Sequence, residues 1–595
     1  MIDLEHSIKT GLVAAFKSLY NHEAEASSLS LQPTKKEFEG THTFVVFPYL
    51  KVTRQKPEDA GTALGNYLKA NVAEVADFNV VKGFLNLTLS DATWQAALQG
   101  IFNSENYGIA APSGKKVMIE FSSPNTNKPL HLGHLRNNFL GDSVSRILAA
   151  AGYEAMKVNL VNDRGIHICK SMLAYQKFGE GETPGSAGMK GDHLVGKYYV
   201  KFDQAYKAEI KQLVADGQSE EEAKKNAPLL LQAQQLLKDW ESGVEEAVAL
   251  WKQMNGWVYA GFDATYRTMG IAFDKTYHES DTYLLGKDIV EEGLEKGIFF
   301  KKENGSVWVD LTDEGLDEKL VLRGDGTAVY MTQDMGTCDH KFSDFAFDQS
   351  VYTVGNEQDY HFKVLFRIMK KLGRTYADGL YHLSYGMVDL PTGKMKSREG
   401  TVVDADDLME EMFQTAEKQT RELGKIEGMT EKEADQLYKM LGLGALKYFL
   451  LKVDPKKRIL FNPRESIEFQ GNTGPFIQYT HARISALLRR AAQMGVSYDE
   501  SGDQDELHSR ELDLINVLVQ FPGIIQSAAA DHSPAQVAQF AYELAKTYNG
   551  FYQELPVFAE DAKDHIVFRL KLSACTARVI RQAMELLGVQ VPERM

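Results

Sequence analysis

The sequence predicts an α/β protein. A Rossmann-like, parallel-sheet nucleotide-binding domain is preceded by a small α+β domain and followed by an all-helical one. Three observations predict it. From residue 116 onward, strand and helix patterns alternate in a β-α-β-α rhythm, which calls for a parallel sheet with helices on both faces. A polar loop with two histidines falls between the first of these strands and the first helix, where such folds bind nucleotides. Beyond Asp406 the patterns are helical to the end.

In residues 1–112, Ile2, Leu4, Ile8, Leu12, Val13, Phe16 and Leu19 fall on one helical stripe, with Asp3, Glu5, Lys9 and Lys17 between them. This reads as a surface helix of a folded domain, not a signal peptide. The run Val80 to Leu89 reads as a strand, and Ala111-Pro112-Ser113-Gly114 as a linker. A strand at Lys116–Phe121 leads into a polar loop at Ser122–Lys128. A helix from about His134 to Ala151 turns Leu135, Phe139, Leu140, Val144, Ile147 and Leu148 inward and is ended by Gly152. A strand at Glu154–Val161 and a helix through Met172 and Leu173 follow. Residues 179–260 break the rhythm with a Gly-rich stretch and charged amphipathic helix, and read as an insertion. The expected division is an N-terminal domain at 1–112, a catalytic domain at 113–405, a helical stem at 406–461 and a helical domain at 462–595.

A chain of 595 residues is too long for one core. No apolar run is expected to reach the ~18 residues of a membrane span. Cys169, Cys338 and Cys575 form no CxxC pair, so neither a disulfide framework nor a zinc site is expected, and a reducing cytoplasm fits. The net charge of −16 argues against indiscriminate nucleic-acid binding, and neither a DNA nor a membrane partner is expected. It leaves room for one RNA bound through local basic patches.

The chemistry-bearing segment is Ser122-Ser123-Pro124-Asn125-Thr126-Asn127-Lys128-Pro129-Leu130-His131-Leu132-Gly133-His134. A helix N-terminus offers unpaired N–H groups and a positive dipole end to phosphate. His131 and His134, three apart, can face one phosphate group, and Gly133 has no side chain to hold a nucleotide off. The segment resembles the HIGH signature of class I aminoacyl-tRNA synthetases. With Glu120-Phe121 in front, it resembles the arginyl family in particular. Gly393-Lys394-Met395-Lys396-Ser397-Arg398 stands where that class carries its KMSKS loop, with lysine and serine exchanged at the third and fourth positions. Gln470 to Arg483, and Leu587 to Met595, resemble the helical anticodon-binding domain of arginyl enzymes.

The resemblance implies an enzyme that joins arginine to tRNA(Arg) through an arginyl-adenylate, using ATP with Mg2+ and no resident metal. It implies catalytic roles for Lys128, His131, His134, Lys394, Lys396 and Ser397. Nucleotide contacts fall to His131, Gly133, His134, Gly386, Met387, Val388 and Lys394. A guanidinium donates five N–H bonds and needs carboxylates to accept them. Glu120, Glu279, Tyr330 and Asp334 match the family's pocket residues, and Asn125 and Gln358 match those that hold the main-chain end of the amino acid. Tyr330 and Asp334, four apart, share a helix face. Tyr479, Arg483, Tyr552 and Met595 match positions near the anticodon loop. Lys456, Lys457, Arg458, Arg489, Arg490, Arg569, Lys571, Arg578 and Arg581 are further candidates for the tRNA surface. A monomer is the family's usual form. A synthetase for another amino acid, a small nucleotidyltransferase and a non-catalytic tRNA-binding relative stand as rival readings. The acidic pocket, the chain length and the intact histidines argue against them in turn.

Overall fold

A computed structural model describes residues 4–35, 37–389, 403–499, 504, 506–559 and 562–595. The chain opens with helix α1 (Leu4–Tyr20), strands β1 (Leu31–Pro33) and β2 (His42–Val45), helix α2 (Pro57–Asn71), strands β3 (Val75–Val81) and β4 (Phe84–Leu89), and helix α3 (Asp91–Asn103). The strands form an antiparallel sheet in the order β1-β2-β4-β3. The run Val80–Leu89 is therefore not one strand. Lys82 and Gly83 both take positive φ, at 49° and 79°, and fold it into a two-residue hairpin. On α1, Ile8, Leu12 and Phe16 are buried, whereas Leu19 stays 42% exposed.

The central sheet is parallel, built from β5 (Lys116–Glu120), β6 (Glu154–Val161), β7 (Lys275–His278), β8 (Gln349–Gly355) and β9 (Leu380–Tyr385) in the order β9-β8-β5-β6-β7. The order reverses between β5 and β8, so a crevice opens at their carboxyl ends, the usual ligand position in such sheets. Strand alternation sets the two faces. Val117 and Ile119 join one core cluster, and Met118 joins the other.

Helix α4 (Leu132–Ala150) lies on the first face, two residues longer at its start than its sequence pattern indicates. A Cβ on Gly141 would lie inside the Phe121 ring, so only glycine lets this helix approach the sheet so closely. The insertion supplies helices α5 (Gly191–Ala215), α6 (Pro228–Glu241) and α7 (Glu245–Met269), which pack beside the helix at Ile166–Phe178. A small antiparallel sheet (299–301, 307–309, 319–322) precedes helix α8 (Tyr330–Asp344). The stem contributes α9 (Ala405–Glu422) and α10 (Glu431–Leu451). The C-terminal part contributes α11 (Gly474–Gln493), α12 (Ser509–Leu518), α13 (Phe521–Ala530), α14 (Pro534–Glu554) and α15 (Lys563–Leu586). The stretch Ser509–Ala530 is long and apolar enough to cross a membrane, contrary to expectation. It folds as the two short helices α12 and α13, with Leu514, Ile515, Leu518, Phe521 and Ile525 buried in the helical core.

The late basic residues are engaged by partners within the protein. Arg578 donates to the Ile101 and Phe102 carbonyls, 2.5 and 3.2 Å away, capping the C-terminal end of α3. Lys571 reaches Gln99 at 2.8 Å, and Arg569 is buried against Glu511 at 2.8 Å. Arg581 pairs with Glu593. This helix face docks the N-terminal domain and the chain terminus.

The insertion is clamped to the stem by a charged cluster. The Lys190 ammonium lies among Asp406, Asp192 at 3.2 Å and the Thr265 hydroxyl at 2.6 Å. His193 Nε2 lies 3.3 Å from both Asp404 and Asp406. Asp192, His193 and Asp406 converge closely enough to hold a metal ion, but Lys190 already supplies a cation there. Burial opposes ionisation of Asp406, yet hydrogen bonds from His193 and Lys190 pull it down to about 2. The hydrogen bond to Asp406 raises His193 above its ordinary value. The stability from charged His193 is therefore complete below ~6.5 and lost as pH rises through the raised folded-state value, while Asp406 stays ionised throughout. His193→Gln is expected to lower the melting temperature by about 1–3 °C near pH 6 and by clearly less near pH 8.5, read by scanning calorimetry. Equal losses at both values would show that the charge of His193 is not what stabilises.

Candidate functional site

The loop after β5 is held from three sides. Ser122 takes a positive φ of 63°, a backbone strain that persists only where the surroundings enforce it. Its N–H donates to Asn137 Oδ1 at 2.6 Å, and its hydroxyl meets Tyr266 of the insertion at 2.7 Å and Asn138 at 3.2 Å. Farther on, Thr126 donates to the Asn162 carbonyl and Asn162 N–H to the Pro124 carbonyl, extending the pairing of β5 and β6 past their ends.

His131 is the N-cap of α4. Its Nδ1 accepts from the Gly133 N–H at 3.1 Å, and His134 Nδ1 accepts from the His131 N–H at 3.1 Å. Both Nδ1 atoms are thus acceptors, which leaves each proton on Nε2 when the rings are neutral. Burial and the neighbouring Lys128 charge lower His131 to about 4. Burial, His131 and Lys128 lower His134 well below its ordinary value. Two neutral imidazoles, centroids 3.9 Å apart, therefore present fixed Nε2–H donors beside a helix N-terminus. Lys128 is half-buried next to them, and burial lowers its ammonium.

The segment is tied to the stem. Leu132 donates to the Val403 carbonyl and Ala405 to the Leu130 carbonyl, a short antiparallel bridge at His131 and Asp404. Arg136 is 1% exposed. It donates to the carbonyls of Gly386 (2.5 Å), Met387 (3.4 Å), Asp454 (3.5 Å), Pro455 (3.0 Å) and Lys457 (2.8 Å). Of the nucleotide contacts expected after β9, Gly386 abuts the Lys457 backbone too closely for a Cβ, Met387 is exposed and Val388 pairs with Ile459. Lys394, Lys396 and Ser397 lie outside the described residues.

Asn125, Glu279, Tyr330 and Asp334 line one cavity of about 790 Å³ beside this loop. Asp163 lies behind this cavity and does not line it. It is 1% exposed and accepts from Tyr259 at 2.7 Å and from the Ser280 N–H and hydroxyl at 2.8 Å, which fixes Glu279 between β6 and the insertion. Burial raises the Glu279 carboxyl, Arg164 opposes the rise, and Asp163 and Asp334 add to it. Asp334 accepts from His361 Nε2 at 2.6 Å, and Tyr330 is 76% exposed at the rim. A cluster of carboxylates against a hydroxyl and an amide is a site for a multidentate cation.

Two expected members fall elsewhere. Glu120 does not face this cavity. Alternation along β5 puts it on the Met118 face, where it pairs with the buried ammonium of Lys341 on α8, close to Tyr277 and Tyr352. Gln358 is exposed on the turn after β8 and does not line the cavity. Arg164 and His361 were missed in the sequence. Arg164 could have been found, because it follows β6 at the carboxyl edge of the sheet. His361 could not, because its approach to Asp334 is tertiary.

A second cavity, about 730 Å³, gathers Tyr479, Arg483, Tyr552 and Met595 with Arg490 and Phe558. Lys425 lies 3.4 Å over the Tyr479 ring, and Arg483 lies 4.9 and 5.5 Å from the Tyr479 and Tyr552 centroids. The terminus is seated here by His481 Nδ1 donating to the Pro592 carbonyl at 2.9 Å and Gln478 to that of Gln590 at 2.7 Å. Aromatic faces beside cations suit unstacked bases.

Residues 97–462 match the family model described as tRNA synthetases class I (R), catalytic domain, and residues 477–595 match the DALR anticodon binding domain. The chain is 56% identical over 596 residues to a protein of Amoebophilus asiaticus named arginine--tRNA ligase, with all of both chains covered. It is 56% identical over 595 residues to one of Bacteroides thetaiotaomicron bearing the same name, again with full coverage. Among solved structures, the arginyl-tRNA synthetase of Thermus thermophilus shares the fold with a TM-score of 0.80 at 24% identity, over the whole of both chains. With a catalytic model matched over more than half its length and full-length relatives this similar, the chain belongs to the class I arginyl-tRNA synthetase family.

Proposed function

We propose that the chain joins L-arginine to tRNA(Arg) at the expense of ATP, through an arginyl-adenylate, releasing AMP and diphosphate. The observation that carries this is the position of the acidic cavity. Glu279, Asp334 and Tyr330 stand beside the same loop whose far end presents His131 and His134 at the helix N-terminus. An arginine with its guanidinium among those carboxylates would have its carboxylate near Asn125, directed toward a nucleotide on the helix end.

The reaction needs no side-chain nucleophile. The arginine carboxylate attacks the α-phosphorus of ATP in line and diphosphate leaves. A ribose hydroxyl of the terminal tRNA adenosine then attacks the adenylate carbonyl and AMP leaves. Positioning supplies much of the rate. The rest comes from donors aimed where phosphate charge develops, and those are His131 and His134 Nε2–H, the α4 amides and Lys128. In the neutral imidazoles Nδ1 is taken up by backbone N–H groups, so the remaining proton sits on Nε2, free to donate to phosphate. Magnesium arrives with the nucleotide, keeping mostly water and phosphate ligands. The Tyr479–Tyr552 cavity is the proposed seat for anticodon-loop bases. A monomer working in the cytoplasm is part of the same proposal.

Asp334→Asn is expected to lower arginine kcat/KM by about ten- to a hundredfold and leave the ATP KM within about twofold, since a hydrogen bond to a charged group is worth ~1.5–3 kcal/mol. Arginine-dependent diphosphate exchange in the presence of tRNA measures it. Unchanged arginine kinetics would overturn the pocket and with it the reading.

Tyr479→Ala should raise the tRNA KM by about tenfold or more, as base stacking is worth ~1–3 kcal/mol, while exchange at saturating tRNA keeps its arginine and ATP KM. A raised ATP KM with unchanged tRNA KM would contradict this.

The exchanged signature loop puts Ser397 where the usual pattern has its second lysine, and Lys396 one residue early. In an extended loop, one residue turns a side chain to the opposite side. Lys128, whose charge already acts on both histidines, is the proposed substitute. Lys128→Ala is expected to cost about a hundred- to a thousandfold in adenylate formation and Lys396→Ala much less. If Lys396→Ala proves the more damaging, the loop works despite the exchange.

A further inference from the structure

The wall of the acidic cavity contains a guanidinium of the protein's own. Arg164 follows β6 at the carboxyl edge of the sheet and borders the same space as Glu279 and Asp334. Its Cζ lies 4.0 Å from the Tyr283 centroid and 5.7 Å from that of Trp240. Nη2 donates to Glu241 Oε1 at 2.5 Å. The side chain is 13% exposed, and its buried Nε has no hydrogen-bond acceptor among the described residues. The charge is close enough to act on the Glu279 carboxyl. Trp240 and Glu241 are the last two residues of α6, so the insertion closes this side of the cavity.

This arrangement poses a problem of competition. A cavity that accepts a guanidinium through two carboxylates will accept a neighbouring arginine side chain as readily as a free one. The neighbour's effective concentration is far higher. Something must hold Arg164 back. The aromatic faces of Tyr283 and Trp240 orient it, and Glu241 gives it the carboxylate partner it would otherwise seek across the cavity.

Building on the arginine reading above, we propose that Glu241 is a positioning residue of the amino-acid site. By tethering and neutralising Arg164, it keeps the protein's own guanidinium from competing with substrate arginine for Glu279 and Asp334. The insertion thereby acquires a task in substrate binding. Arg164, so held, still places positive charge near Glu279, which partly opposes the rise that burial causes.

The test uses the full chain, with diphosphate exchange measured in the presence of tRNA. If a released Arg164 occupies the acceptor site about nine-tenths of the time, the apparent arginine KM rises about tenfold. Glu241→Gln should show that rise with the ATP KM and kcat little changed. The double variant Glu241→Gln with Arg164→Met, which keeps an apolar stem over the rings and removes the guanidinium, should bring the arginine KM back to within about threefold of the parent. Glu241→Asp, which keeps the charge, should stay near the parent. Glu241 is exposed at a helix end, so melting temperatures of the variants should match and exclude simple unfolding. An unchanged arginine KM in Glu241→Gln, or a double variant no better than the single, overturns the proposal. If the parent shows no arginine-dependent exchange, or Asp334→Asn leaves it unaffected, it is the arginine reading that fails.

Discussion

The buried guanidinium of Arg136 is the interaction on which the site's architecture rests. It sits on α4, just over one turn after the histidine cap. Its donors end on carbonyls of Gly386, Met387, Asp454, Pro455 and Lys457. A guanidinium this far from water carries a large desolvation penalty, and among the described residues no carboxylate is bonded to it. Converging carbonyl dipoles and the Tyr385 ring at 5.9 Å stabilise the charge instead, although burial still brings it down to about 10. One side chain thus binds the first signature helix, the segment after β9 and the end of the stem into a single unit.

That unit explains how the histidines are positioned. Their orientation comes from backbone amides, through two Nδ1 acceptors, and their neutrality from burial beside a lysine. Neither property depends on a bound ligand. Opposite them, the acidic cavity is assembled from four separate segments, Asn125 after β5, Arg164 after β6, Glu279 after β7, and Tyr330 and Asp334 on α8. Asp163 and the Lys341–Glu120 pair hold those segments in register from behind. Buried charges of this kind keep geometry when fully paired and would disrupt it if left single.

Long-range contacts also govern the ends of the chain. Arg578 caps α3 from almost 480 residues away in sequence, and Tyr107 donates to the Leu518 carbonyl at 3.1 Å, so the N-terminal domain is seated on the helical one. Lys447 is buried enough to fall to about 8, and it donates to the Gly588 carbonyl at 2.6 Å, locking the terminal segment over the stem. The aromatic cavity around Tyr479 depends on this seating, because Met595 forms part of its lining.

The sequence alone determined the parallel sheet, the strand–loop–helix position of His131 and His134, and the family. These follow from local periodicity and a contiguous motif, both of which are properties of neighbouring residues. It also named most of the acidic cavity and the aromatic one, through positions matched to a known pattern. Tertiary structure decided what side chains meet. Glu120 was legible as an acid at the end of a strand, but only the packing of α8 against that strand reveals Lys341 as its partner. Arg569, Lys571 and Arg578 were legible as positive charge, but only domain docking shows that charge engaged by Glu511, Gln99 and the end of α3. The hairpin at Lys82–Gly83 was obscured because two positive-φ residues leave no mark on hydrophobic alternation. Charge and periodicity are written in the chain, whereas partnership depends on distances that only the assembled fold sets.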